Sequence, residues 1–125
     1  MKLACAAVIA LGLSTSMAHA ASPSCKATAT KMLDYLDQGD YAGATADFND
    51  RMNANLSADK LGKLWQNVSQ QPSGTHGVRE PAQLSEEQGY AVVMTTLHYG
   101  QNAIDTRVVC DADGKVGGFF IRPHH

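Results

Sequence analysis

The sequence predicts an α+β domain, with helices first and an antiparallel sheet after them. Three observations carry this reading. Apolar residues recur at the i, i+3, i+4, i+7 spacing of a helix through the first half of the chain, as far as Val68. Over residues 88–123 the pattern changes to three β-rich runs, 90–99, 103–110 and 116–122. These runs are separated by two turn signals, Tyr99-Gly100-Gln101-Asn102 and Asp111-Ala112-Asp113-Gly114, the second suited to the positive φ of a tight hairpin. Helices grouped ahead of strands pack together on one face of the sheet.

The first twenty residues read as a secretory signal. Lys2 gives the positive start, residues 3–13 are an apolar run, and Ala18-His19-Ala20 is a small-x-small cleavage site ending at Ala20. The run is shorter than the roughly 20 apolar residues that span a bilayer. The expected organisation is therefore a signal peptide over 1–20 and a single α+β domain over 21–125, periplasmic or secreted, with no membrane attachment after cleavage. Cys5 comes too early for an apolar run to precede it, which excludes a lipoprotein reading, and it leaves with the signal. Cys25 and Cys110 remain, an even pair that in an exported protein reads as a disulfide. The formal net charge is −2, and no basic patch suggests nucleic acid.

In the first helix Ala29, Met32, Leu33 and Leu36 form the apolar stripe, while Thr28, Thr30, Lys31, Asp34 and Asp37 fall on the other face. Gly39 suits the position just past the helix end, and Asp40 then caps a second helix with the stripe Tyr41, Ala44, Thr45 and Phe48. Residues 49–55 read as a polar link. Ser57 caps a third helix, Leu56 and Leu61 match a hydrophobic staple across its start, and Leu61, Leu64, Trp65 and Val68 form its stripe. Residues 76–84 read as a first strand that Pro81 breaks or confines to an edge, and residues 85–89 read as a turn. The expectation is three helices on a curved antiparallel sheet of about four strands.

Chemistry is harder to find. There is no Gly-x-Ser-x-Gly elbow, phosphate-binding loop or dinucleotide fingerprint. The Asp111–Gly114 turn lacks the further carboxylates of a calcium loop, and no histidine pair has helical ligand spacing. His124 and His125 read as a solvated tail. No metal or other cofactor is expected. Strand alternation places Tyr90, Val92, Met94, Thr96 and His98 on one face, and Asp105 and Arg107 together opposite Ile104, Thr106 and Val108. Asp105, His98 and Tyr90 are thus the candidate catalytic residues, should an apolar pocket shift their pKa values. The competing expectation makes Asp105 and Arg107 a solvated pair on an open sheet face.

Gly39-Asp40-Tyr41, Phe48 followed by Met52, Leu56-Ser57, Leu61 with Trp65, the run Arg107-Val108-Val109-Cys110-Asp111, then Gly114-Lys115-Val116-Gly117-Gly118-Phe119 and Pro123 occur in an order and spacing that resembles a bacterial family, domain of unknown function 3887. The resemblance covers about residues 26 to 123. That family is similar in fold to nuclear transport factor 2 and is often found ahead of α/β-hydrolase domains in exported proteins. It implies a cone-shaped, cystatin-like α+β fold, of a kind that serves as enzymes (ketosteroid isomerase, scytalone dehydratase) or as non-catalytic binding and dimerisation modules. It supplies no catalytic residue to carry over, and no hydrolase domain follows in this sequence. In such a cone the ligand pocket is expected between helices and sheet, lined by Trp65, Phe48, Tyr90 and Met94. The expected role is non-enzymatic: binding a small apolar ligand, a second copy through the sheet, or an envelope protein. The alternative is a small isomerase, dehydratase or hydrolase.

Overall fold

The computed structural model describes residues 23–124, so the expected signal with its cleavage at Ala20, and His125, lie outside the described residues. Four helices precede five strands: α1 Pro23–Gln38, α2 Tyr41–Ala44, α3 Asp50–Asn55, α4 Ala58–Ser69, β1 Val78–Arg79, β2 Gln83–Glu87, β3 Tyr90–Tyr99, β4 Asn102–Cys110 and β5 Val116–Pro123. All strand pairs are antiparallel, in the order β1-β3-β4-β5, with β2 also on β3. The class is α+β, consistent with a nuclear transport factor 2-like cone.

Three expectations about the elements need correcting. The second helix is a single turn, closed by Thr45, because the chain then turns into β pairing. Val116 N–H donates to Asp47 O at 2.8 Å, Asn49 N–H donates to Val116 O at 3.0 Å, and Phe48 bridges Val116 in parallel. The segment read as a polar link is α3, started by the Asn49 side chain, whose Oδ1 accepts the Met52 N–H at 2.9 Å. At the sheet edge, Pro81 divides one strand into β1 and β2, which pair with successive parts of β3. Residues 85–87, read as a turn, continue β2. The turn itself is Gln88-Gly89, both at positive φ (53° and 84°), as a two-residue hairpin loop requires.

The core lies between the helices and one sheet face. Cys25, Ala29, Met32, Leu33 and Leu36 of α1 and Leu61 and Trp65 of α4 meet Ala91, Val93, Leu97, Ile104, Val108, Val116 and Phe119. Leu33, Leu36, Leu61 and Leu97 are almost completely buried. Each such side chain stabilises the fold by about 1.5–3 kcal/mol relative to an exposed one. Trp65 packs on Phe119 with ring centroids 6.4 Å apart. Cys25 and Cys110 form a disulfide across a sequence separation of 85, fastening the start of α1 to the end of β4.

Asp37 departs from the exposed helix face assigned to it. It is 4% exposed, because Arg79 of β1 reaches back to it at 2.8 Å while also pairing with Asp34. The second Asp37 oxygen and the Tyr99 hydroxyl beside this network are buried without a hydrogen-bond partner. Burial, then the charge of Asp37, pushes the Tyr99 hydroxyl far above its ordinary pKa.

Candidate functional site

Because the helices cover only one face of the sheet, the alternate side chains of β3, β4 and β5 project from the other. Their cross-strand rows are Met94–Arg107–Phe120, Val92–Val109–Gly118 and Thr96–Asp105–Arg122. A register shift beside Val109 and Cys110 resets the alternation on β5, so that Val116 and Phe119 are buried while Phe120 is not. Tyr90, Met94 and Phe120 stand 50%, 41% and 53% exposed on this open face.

A cleft of about 500 Å³ opens between Tyr90 and Phe120. Val92, Val109 and Gly118 lie along it, Tyr90 and Phe120 flank it, and Asn49, Arg51, Glu87, Arg107 and Asp111 bring polar groups to it. Gly118 matters to its shape. A Cβ there would come within 3.1 Å of the Phe120 ring and 3.4 Å of the Val109 Cβ. A side chain at 118 would therefore fill the space and displace the ring. A smaller hollow of about 100 Å³, lined by Met94, Asp105, Arg107, Phe120 and Arg122, adjoins it across Arg107.

Three of the four charged groups at the cleft are engaged within the protein. Arg107 forms an ion pair with Glu87, but its Nε is buried without a partner. Asp111 Oδ1 accepts the N–H groups of Asp113 and Lys115, each at 2.9 Å, and its Oδ2 accepts the Asn49 amide at 3.1 Å. That last bond ties the start of α3, and with it Arg51, to the β4–β5 turn.

Farther along the face, Thr96 donates its hydroxyl to Asp105 Oδ1 at 2.6 Å, and His124 Nδ1 lies 2.9 and 3.0 Å from the two Asp105 oxygens. The hydrogen bond to Asp105, then its charge, raises the pKa of His124 above the ordinary histidine value. His98 Nε2 sits 2.6 Å from Glu80 Oε2, with the His98 and His124 rings 6.5 Å apart. Among the described residues, no three His, Cys, Asp or Glu side chains are placed to hold a metal ion. No described helix is long and apolar enough to cross a membrane.

Of the candidate catalytic residues, Asp105 and His98 share a neighbour in the unforeseen His124, which contacts the Asp105 carboxylate and whose ring lies 6.5 Å from that of His98. Tyr90 does not join them: it lies eight steps along β3 from His98, about 26 Å at strand rise. The four expected pocket residues are not brought together either. Trp65 and Phe48 are 3% exposed in the core, whereas Tyr90 and Met94 are on the opposite face. The cleft is built instead on Val92, Val109, Gly118, Phe120 and Arg107, with Arg51 at its side. Alternation along β3 and β4 already signalled Val92, Val109 and Arg107. Phe120 was hidden by the register shift, and Arg51 by reading α3 as a link.

The sequence model of a family described as "Protein of unknown function (DUF3887)" matches residues 29–119. No curated protein and no solved structure matches the chain.

Proposed function

As the chain belongs to the DUF3887 family, whose description assigns no activity, we propose a role read from its own surface: a non-catalytic domain that binds a small, largely apolar ligand on the open face of the sheet. The observation that carries this reading is the exposure of Tyr90, Met94 and Phe120 beside a cleft of about 500 Å³, while the opposite face is packed with buried side chains. Concave sites of this size with apolar walls and a few convergent polar groups are where small molecules bind. Leaving three large apolar groups in water forgoes stabilisation that an occupant restores.

The Cys25–Cys110 disulfide supports an oxidising compartment, and together with the signal-like first twenty residues it supports the reading of an exported domain, periplasmic or secreted. A second reading is a small isomerase, dehydratase or hydrolase working through Asp105 and His98. It is favoured by the convergence of the Thr96 hydroxyl and the His124 imidazole on the Asp105 carboxylate, with the His98 ring 6.5 Å from that of His124.

Native mass spectrometry of the chain, expressed with its own first twenty residues and purified from the envelope, tests the proposal. The expected result is a monomer carrying retained small-molecule mass that is lost in Phe120→Ser. A ligand-free dimer that Phe120→Ser dissociates would give the face to a second copy. A ligand-free monomer co-purifying with one envelope protein would give it to that protein. Turnover of any substrate that disappears in Asp105→Asn would favour the enzyme reading. Each of these three results contradicts the proposal.

A further inference from the structure

The cleft's charges narrow what it can hold. Four ionised side chains reach it, and the two acids are already engaged. Asp111 accepts two backbone N–H groups and the Asn49 amide. Glu87 is paired with Arg107. The two cations have capacity left over. Arg107 holds a buried Nε with no acceptor, and Arg51, exposed on α3, forms no ion pair among the described residues. The Nε is buried while a third of the Arg107 side chain stays exposed, and the acceptor such a guanidinium best accommodates is an oxyanion matched to its planar donors. Beside these donors the surface turns apolar, along Val92, Val109 and the Phe120 ring. Gly118 keeps that surface open where any side chain would fill it.

We propose that the cleft binds an amphiphilic anion, its carboxylate or phosphate head held by Arg51 and Arg107 and its apolar body lying along Val92, Val109 and Phe120. This rests on the open face being a small-molecule site. It adds a head group of defined charge to what that reading calls simply apolar. A cationic amphiphile would bring its charge to Arg51 and gain no acceptor contact. A neutral one would leave Arg107 Nε unmet.

Isothermal titration calorimetry with four twelve-carbon probes, each below its micelle concentration, tests the inference: dodecanoate, dodecyl phosphate, dodecanol and dodecyltrimethylammonium. Both anions are expected to bind, more weakly as salt rises, and the tighter of the two identifies the head group. Arg51→Gln and Arg107→Gln should each weaken the anions by roughly tenfold or more, the change that loss of one charge-assisted hydrogen bond brings, and leave dodecanol unchanged. Arg51 is exposed on α3, so Arg51→Gln carries the test even if Arg107→Gln unfolds the chain. Phe120→Ser should weaken every probe that binds. If dodecanol or the cation binds as tightly as the anions and Phe120→Ser weakens them all, the face is a ligand site and the inference about the head group falls alone. Anion affinity unchanged in Arg51→Gln likewise overturns it. If none of the four binds, both the inference and the ligand-site reading fall.

Discussion

His124 and Asp105 meet at the exposed end of the open face, where two oxygens of one carboxylate lie 2.9 and 3.0 Å from a single ring nitrogen. The hydrogen bond, then the charge, favours the imidazolium, so the folded-state pKa lies above the ordinary histidine value. The stabilisation is therefore fully present below the unfolded-state pKa and is lost as pH rises through the folded one. An NMR titration should show the His124 midpoint fall when Asp105 becomes Asn. An unchanged midpoint would mean the contact is not kept in solution. At the other side of the domain, Asp37→Ala leaves the partly buried Arg79 with only the exposed Asp34. It should cost about 3 kcal/mol in urea unfolding, the low end for breaking a buried pair because Arg79 keeps a second partner and some water. Neither residue was legible alone. Asp37 has the helical phase of an exposed position, and what buries it is an arginine 42 residues away.

Elements were legible where periodicity was long. The stripes of α1 and α4 and the alternation of β3 and β4 each run over several turns or pairs, and the buried residues follow them, except that Leu64 of the α4 stripe stands 37% exposed. Short elements were not. Residues 50–55 contain one helical turn and a half with no buried side chain, so no stripe marks them. The signal available was Asn49 three positions before Met52, a cap with little helix to follow. That cap does two things, since Asn49 accepts the Met52 N–H and donates to Asp111. Asn49→Ala should cost about 1 kcal/mol, the usual loss of an N-cap, and should also free α3 from the β4–β5 turn. Weaker ligand binding to the cleft with little change in stability is the expected pattern, read by calorimetry alongside thermal melting. The same loss of affinity for a ligand on the helix side of the sheet would count against it. Pro81 is a clearer case: a missing N–H in the middle of an edge strand was visible in the sequence, and the strand is divided there.

For the whole molecule, the sequence pattern specifies a layer of helices on a sheet but not which side of that sheet holds the space. Trp65 and Phe48 carry enough apolar volume to look like pocket walls, and in the fold that volume fills the core instead. The cleft arises from long-range register: a shifted pair at Val109 and Cys110, two successive glycines, and a helix start tied to a distant turn. None of these has a local periodicity. The disulfide was legible because the expected signal sets Cys5 aside, and Cys25 and Cys110 then leave one pairing. Its loop spans 85 positions, so Cys25→Ala with Cys110→Ala should lower unfolding free energy by about 4 kcal/mol in the chain-entropy account. A loss near zero would mean that the unfolded chain is not constrained by the bridge.

The central claim is that the open face, not the helix side, receives the ligand. Backbone NMR of the chain titrated with dodecanoate tests it most directly. Shifts should concentrate at Val92, Arg107, Val109, Gly118 and Phe120, with Leu33, Leu61 and Trp65 unmoved. Shifts confined to Leu33, Leu61 and Trp65 would place the ligand between helices and sheet and contradict it.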